Sequence, residues 1–346
     1  MRAVELVQPG LLEMKEVERP RLTRPDEVLI QVKTVGVCGS EVHAFEGTHP
    51  FRAAPCVLGH EMAGVVVDLG SEAAARSSFR PGDRVLVDPQ WTCGECAFCR
   101  AGDINLCPSK RVLGTQSWPG AFGEWITAPV ESVFALPENL SFAQGSLVEP
   151  LSVGVHVCRL AEVGPGTSVA VLGSGSIGGM VSAAARARGA GPVLAVDIRQ
   201  HCVDAARERM GATHDLLLPN PEFLAQARAV TGGRGFDVAV IAADEPALVD
   251  AALDIIRKRG KIVLVALLTA APLQFMGFKV IASEAAIIGS TMASAADVRE
   301  AISLAASGRV DVTGILTHCL PIEQAQQAMH LAESKDDGAI KVVMSF

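Results

Sequence analysis

Residues 38–61 bring together donors that could converge on a metal: Cys38, His60 and Glu61, with Ser40 and His43 between them. Glycines and prolines interrupt the stretch, so it predicts loops and turns and not one regular element. Thiolate, imidazole and carboxylate are the donor types with which a catalytic zinc keeps one position open. Cys93, Cys96, Cys99 and Cys107 form a second group, spaced C-x2-C-x2-C-x7-C. Two-residue gaps let successive thiolates turn toward one tetrahedral centre, and four thiolates leave no open position, so this zinc would be structural. An iron–sulfur cluster uses similar spacings, and reduced cysteines clustered by chance are the bland alternative.

A third group lies in VAVLGSGSIGGM, where Gly173, Gly175 and Gly178 make a G-x-G-x-x-G pattern. It follows an apolar run and opens a helical one, the context that gives the pattern meaning. Gly173 allows the tight turn, Gly175 lets backbone approach a pyrophosphate, and Gly178 lets helix and sheet pack closely. The helix N-terminus then faces the phosphates. Asp197 ends the next apolar run, where a ribose-binding carboxylate belongs; the competing reading is a helix N-cap. As ribose ligand it repels a 2′-phosphate, which favours NAD over NADP, although Arg199 and His201 lie close by.

Elements able to position these groups can be read from periodicity. VLIQVKTVGV (28–37) alternates, with Val28, Ile30, Val32 and Thr34 on one face and Leu29, Gln31, Lys33 and Val35 on the other. Short strands at 61–70 and 83–89, with many glycines and prolines, predict a β-rich domain to about residue 150. Apolar runs at 168–173, 192–197, 214–218, 236–243, 261–267 and 285–291 then alternate with alanine-rich or amphipathic stretches. That pattern predicts an α/β domain with a doubly wound, six-stranded parallel sheet. The connection after 267, containing Pro272, shows little helical periodicity. A helix near 294–308 and a final strand AIKVVMSF are expected to return to the first domain. The predicted domains are 1–151, 152–291 and 292–346.

With 346 residues, two domains are expected. The net charge is −8 and there is no basic stripe, which argues against nucleic-acid or anionic-membrane partners. The start MRAVELVQPG lacks a signal-peptide pattern, and the apolar window 262–278 is broken by Pro272 and Gln274, so no membrane span and a cytoplasmic location are expected. An odd count of nine cysteines argues against a disulfide framework. Cys56, Cys158 and Cys319 read as small core residues.

The Cys…Gly-His-Glu stretch, the four-cysteine lobe and the nucleotide loop, in this order, resemble the zinc-dependent medium-chain alcohol dehydrogenases along essentially the whole chain. VEPLSVGVH (148–156) resembles the sorbitol and threonine dehydrogenase branch. FEGTHPFRAAPCVLGHE is similar to bacterial L-gulonate and L-galactonate 5-dehydrogenases. The resemblance implies a GroES-like catalytic domain with a Rossmann domain, a site in the cleft between them, and a homodimer or homotetramer. It implies two zinc ions per chain. Cys38 and His60 would hold the catalytic one with Glu61, Glu149 or both in alternation, and Cys93, Cys96, Cys99 and Cys107 the structural one. Ser40 would take the proton of a hydroxylated substrate and His43 would end the relay to solvent. NAD would contact Gly173, Gly175, Ser176, Ile177, Gly178, Asp197, Ile198, Arg199, Val265, Ala266 and Leu267.

Two positions depart from the family pattern. Glu41 stands where relatives carry Asp, which puts the support of His60 in question, and Cys202 stands where many NAD-using relatives carry Arg. The pocket is expected to include Ser40, Phe45, His49, Phe51, Arg52, Trp91, Gln116 and Trp118. Arg52 would favour a sugar acid if it pairs with a substrate carboxylate. The expected reaction is oxidation of a polyol or sugar acid to a ketone. Amino alcohols, aminocyclitols and simple diols are alternative substrates, and a non-catalytic NAD-binding relative is the alternative from another class.

Overall fold

The computed structural model describes residues 1–269 and 271–346, which form two compact units. The first comprises Met1–Glu149, Ser294–Ala306 and Leu316–Phe346; the second comprises Pro150–Ala293 and Ser307–Ile315. The stretch 292–346 therefore divides between them. Its 307–315 portion packs with the second unit because buried Val310, Val312 and Ile315 give it an apolar face, and Ile315 packs close over Gly179.

The first unit is built on a seven-stranded sheet whose centre is the long strand Glu27–Val37. It pairs antiparallel with Glu61–Leu69 on one side and with the terminal strand Lys341–Ser345 on the other. Val28, Ile30 and Val32 are at most 1% exposed, so the alternation read from sequence does define a core face. Gly36, in the same strand, lies opposite Glu61 and beside Val343. A Cβ there would come within 2.2 Å of Glu61 Oε2, so the close crossing of that carboxylate needs glycine.

The second unit holds a six-stranded parallel sheet, in the order 214–217, 193–197, 169–172, 236–241, 256–264, 286–289. This is the doubly wound Rossmann order, with the direction of winding reversing beside Val169–Leu172. Those four residues are completely buried, as expected for a strand covered on both faces. The 261–267 run starts earlier than its sequence shows, at Ile256, and the connection after it contains a helix, Gly277–Ser283. That helix escaped periodicity because no residue in it is buried; Phe278 and Ile281 are 70% and 75% exposed. Ala270, inside the 262–278 window, lies outside the described residues. Cys56 and Cys158 are core residues as expected, whereas Cys319 is exposed on Leu316–Pro321. Among the described residues no helix is long and apolar enough to cross a membrane.

Candidate active site

Cys38 is the N-cap of a short helix, Gly39–Phe45, that projects the chemistry of the stretch. Its carbonyl accepts from the N–H groups of Glu41 and Val42, and its own N–H donates to Glu41 Oε2 at 3.0 Å. Glu41 thus ties down the residue bearing the thiol, as the third residue of a capping box does. Ser40 and His43 are three apart and share a helix face. His43 Nδ1 lies 3.3 Å from Thr48 Oγ1 and 3.5 Å from Glu46 Oε2.

Glu41 is wholly buried and also reaches His60, with Oε1 2.5 Å from Nδ1. The extra methylene relative to Asp does not cost His60 its support: the carboxylate fixes the ring through Nδ1 and leaves Nε2 as the nitrogen able to bind metal. Burial alone would raise the Glu41 pKa, but the charges of His60 and Arg52 win and hold it at about 2. Burial pushes His60 down, yet Glu41 beside it raises the imidazole well above its ordinary value. Arg52, only 4% exposed, donates from Nη1 to Glu41 Oε1 at 3.0 Å. The guanidinium is therefore engaged within the protein, unlike the substrate-carboxylate partner considered from sequence.

Metal-ligating atoms of Cys38, Glu41 and His60 lie within 4.8 Å of one another, and so do those of His60, Glu61 and Glu149. His60 is common to both groups. Glu149 lies in the first turn of Val148–Leu160, and burial, reinforced by Glu61 and opposed by His60 and Lys341, raises its pKa to about 7. Glu61, also wholly buried, accepts from Lys341 Nζ at 2.8 Å through each oxygen. Lys341, itself 2% exposed, donates to Val37 O at 3.0 Å as well. No motif pointed to this lysine, which stands in an apolar strand far from residues 38–61. A half-buried thiol, a buried imidazole and buried carboxyls, one of them with its pKa raised mainly by burial, fit a divalent cation.

The four-cysteine lobe fits zinc independently. Cys93 Sγ lies 3.9 Å from Cys99 Sγ and 3.6 Å from Cys107 Sγ. Thiolates about 2.3 Å from a tetrahedral zinc are separated by roughly 3.8 Å. Backbone N–H groups of Glu95 and Cys96 lower the Cys93 thiol to about 6, favouring the thiolate a metal needs.

Of the expected pocket residues, Ser40 touches the network described above, and Phe51 and Gln116 are exposed. Phe45 and Trp118 are core residues at 2% and 4% exposure. Trp118 satisfies its indole by donating to Thr127 O, and Trp91 is covered by the Arg111 guanidinium. His49 is buried and accepts the N–H groups of Phe51 and Arg52 at Nδ1.

In the second unit, Gly173 has φ +96°, and a Cβ at Gly178 would meet Gly173 O at 1.8 Å. Gly175 caps the helix Ser176–Ala187, and nothing lies within 4 Å of the place its Cβ would occupy. Ser176 Oγ is buried there without a hydrogen-bond partner among the described residues. Open backbone, a helix N-terminus and an unsatisfied hydroxyl together fit a dinucleotide pyrophosphate. Asp197 accepts from the N–H groups of Ser174 at 2.8 Å and Arg199 at 3.0 Å, which orients both its oxygens. Cys202 is buried, and Ile198 is exposed beside Asp197. Val265 and Ala266, whose N–H groups reach Ile241 O, lie with Leu267 just past the carboxyl end of their strand.

Residues 24–138 match the alcohol dehydrogenase GroES-like domain family and residues 176–307 the zinc-binding dehydrogenase family. The sorbitol dehydrogenase of Bacillus subtilis (strain 168) is 36% identical across 92% of this chain and 90% of its own. A probable D-xylulose reductase A of Aspergillus clavatus is 33% identical across 99% and 96%. Among solved structures, an Escherichia coli oxidoreductase/dehydrogenase of unknown specificity superposes with a TM-score of 0.92, at 32% identity over 99% of this chain and 98% of its own. An alcohol dehydrogenase from E. coli CFT073, complexed with the cofactor NADH, gives 0.89 at 25% identity over 100% and 99%. With its GroES-like and Rossmann units and its sites for zinc and NAD(P), the chain belongs to the zinc-dependent medium-chain alcohol dehydrogenase family, in the sorbitol dehydrogenase-like branch.

Proposed function

We propose that the protein oxidises a secondary hydroxyl of a polyol to a ketone, with NAD as acceptor. The observation that carries this reading is that His60 belongs to two groups of converging donors, one with Cys38 and Glu41 and one with Glu61 and Glu149, while Arg52 joins Ser40 to Glu41. The similarity to proteins described as sorbitol dehydrogenase and D-xylulose reductase supports the substrate class. Cys38, His60 and Glu149 would hold the catalytic zinc, since Glu61 is already paired with Lys341. When bound, zinc supplies Lewis acidity that favours the substrate alkoxide, and nicotinamide supplies the hydride acceptor. Ser40 takes the hydroxyl proton as it gives up its own, and His43 delivers a proton to solvent. Glu41 keeps the His60 ring in one orientation throughout. Cys93, Cys96, Cys99 and Cys107 hold the second zinc, which stabilises their lobe.

Polyols are favoured over sugar acids because Arg52, the cation considered for a substrate carboxylate, is bound to Glu41. The oriented Asp197 favours NAD over NADP. A panel of polyols, sugar acids, aminocyclitols and diols, read by absorbance of the reduced cofactor, tests both points. The highest kcat/KM is expected for a polyol with NAD. A sugar acid, an aminocyclitol or NADP heading the panel contradicts the reading.

We also propose a homo-oligomer. The strand Ala286–Gly289 ends the parallel sheet of the second unit, and Met276, Phe278 and Ile281 in the preceding segment are exposed. A second copy can continue the sheet across a two-fold and cover those side chains. Light scattering should show at least a dimer for the native chain and a smaller species for Ile281→Glu. A native monomer contradicts it.

A further inference from the structure

Arg52 links two groups that the proposed chemistry treats separately. Its Nη1 donates to Ser40 Oγ at 2.6 Å and to Glu41 Oε1 at 3.0 Å, and its Nη2 reaches Leu113 O at 3.4 Å. The same Glu41 oxygen meets His60 Nδ1 at 2.5 Å. A single buried guanidinium therefore connects the proposed proton acceptor with the carboxylate that steers a metal-binding ring. The loop carrying Arg52 is itself pinned, since His49 Nδ1 accepts the Arg52 N–H at 3.1 Å. Burial and the Arg52 charge lower the His49 pKa to about 4, so the imidazole is neutral and its ring nitrogen can accept.

A serine hydroxyl has two acceptor lone pairs and one proton to donate. With Arg52 on one lone pair, a single lone pair remains for an incoming proton, and the hydroxyl's own proton must point elsewhere. A positive charge against Oγ favours release of the hydroxyl's own proton as the substrate's proton arrives, so the oxygen does not carry two protons. On the Glu41 side, the guanidinium stops the carboxylate from swinging away from His60. Lysine could supply the charge but not the rigid planar fork.

We propose that Arg52 is a positioning residue that orients Ser40 for proton acceptance and, through Glu41, holds His60 in its metal-binding orientation. This rests on the dehydrogenase reading above. The test compares native protein, Ser40→Ala, Arg52→Met, Arg52→Lys and the Ser40→Ala/Arg52→Met double variant. Readouts are kcat and KM at saturating zinc, the solvent deuterium isotope effect on kcat, and affinity of the catalytic zinc by chelator competition.

Arg52→Met is expected to lower kcat 10- to 100-fold with KM changed less than threefold, to alter the isotope effect, and to weaken the catalytic zinc about 10-fold. In the Ser40→Ala background the same replacement should cost much less kcat, because residues acting together are not additive. Arg52→Lys should recover part of the zinc affinity and little of the kcat; it also serves as the test if Arg52→Met does not fold. Unchanged kcat and zinc affinity in the folded Arg52 variants overturn the proposal, and so do fully additive losses with Ser40→Ala. Failure of the native protein to turn over any member of the panel, with zinc affinity still falling in Arg52→Met, instead overturns the dehydrogenase reading and leaves the link to His60 standing.

Discussion

Cys38→Ser lowers kcat for polyol oxidation roughly a thousandfold or more, equivalent to about 4 kcal/mol of lost transition-state stabilisation. At neutral pH a serine hydroxyl stays protonated and is a poor zinc ligand, whereas a cysteine near a cation ionises readily. The effect should be confined to chemistry. The backbone hydrogen bonds that hold residue 38 use its N–H and carbonyl, and both survive the change. The glycine loop and Asp197 belong to the other compact unit, so NAD affinity should change less than about threefold. Steady-state kinetics, cofactor titration and zinc content measured together check this; retained turnover would remove Cys38 from the metal site.

Lys341→Met is expected to destabilise the first unit by about 3–5 kcal/mol, because it leaves the buried Glu61 carboxylate without its charge partner. Methionine fills much of the lysine volume, so the loss reflects charge more than packing. The pH dependence has a definite sign. Burial alone lowers the Lys341 pKa, but Glu61 wins and raises it above 10.5. A raised folded-state pKa means that the contribution is complete below the unfolded value and is lost as pH rises through the folded one. The gap between native and variant should therefore be steady from pH 7 to 9 and close only in strong alkali. Urea unfolding at several pH values measures it. Replacing Glu61 and Lys341 together by apolar residues should restore most of the stability, as removal of a whole buried pair commonly does.

These two residues show what could be read in the chain before its structure was known. Cys38, His60, the four cysteines and the glycine loop were legible because their chemistry depends on spacing within short segments. The six parallel strands were legible because burial on both faces produces apolar runs. Lys341 was not, because its partner is brought to it by pairing across the Gly36 strand, some 280 residues away in sequence. Arg52 misled for a related reason: one arginine in a polar loop reads the same whether it faces solvent, substrate or a buried carboxylate. Phe45 and Trp118 were placed at the pocket by nearness in sequence, yet their rings turn into the core. The helix Gly277–Ser283 was missed because Phe278 and Ile281 face outward, where intrachain periodicity carries no signal.

On the function proposed above, one zinc, held by Cys38, His60 and Glu149, is needed for hydride transfer, while a second, held by the four cysteines, is needed for structure. The most direct measurement follows polyol-dependent NADH formation as the more accessible zinc is removed by graded chelation and then restored, with metal counted at each step. Activity should fall in proportion to loss of the first zinc equivalent, with secondary structure unchanged, and return when zinc is added back. Full activity with only the four-cysteine zinc remaining would contradict the account.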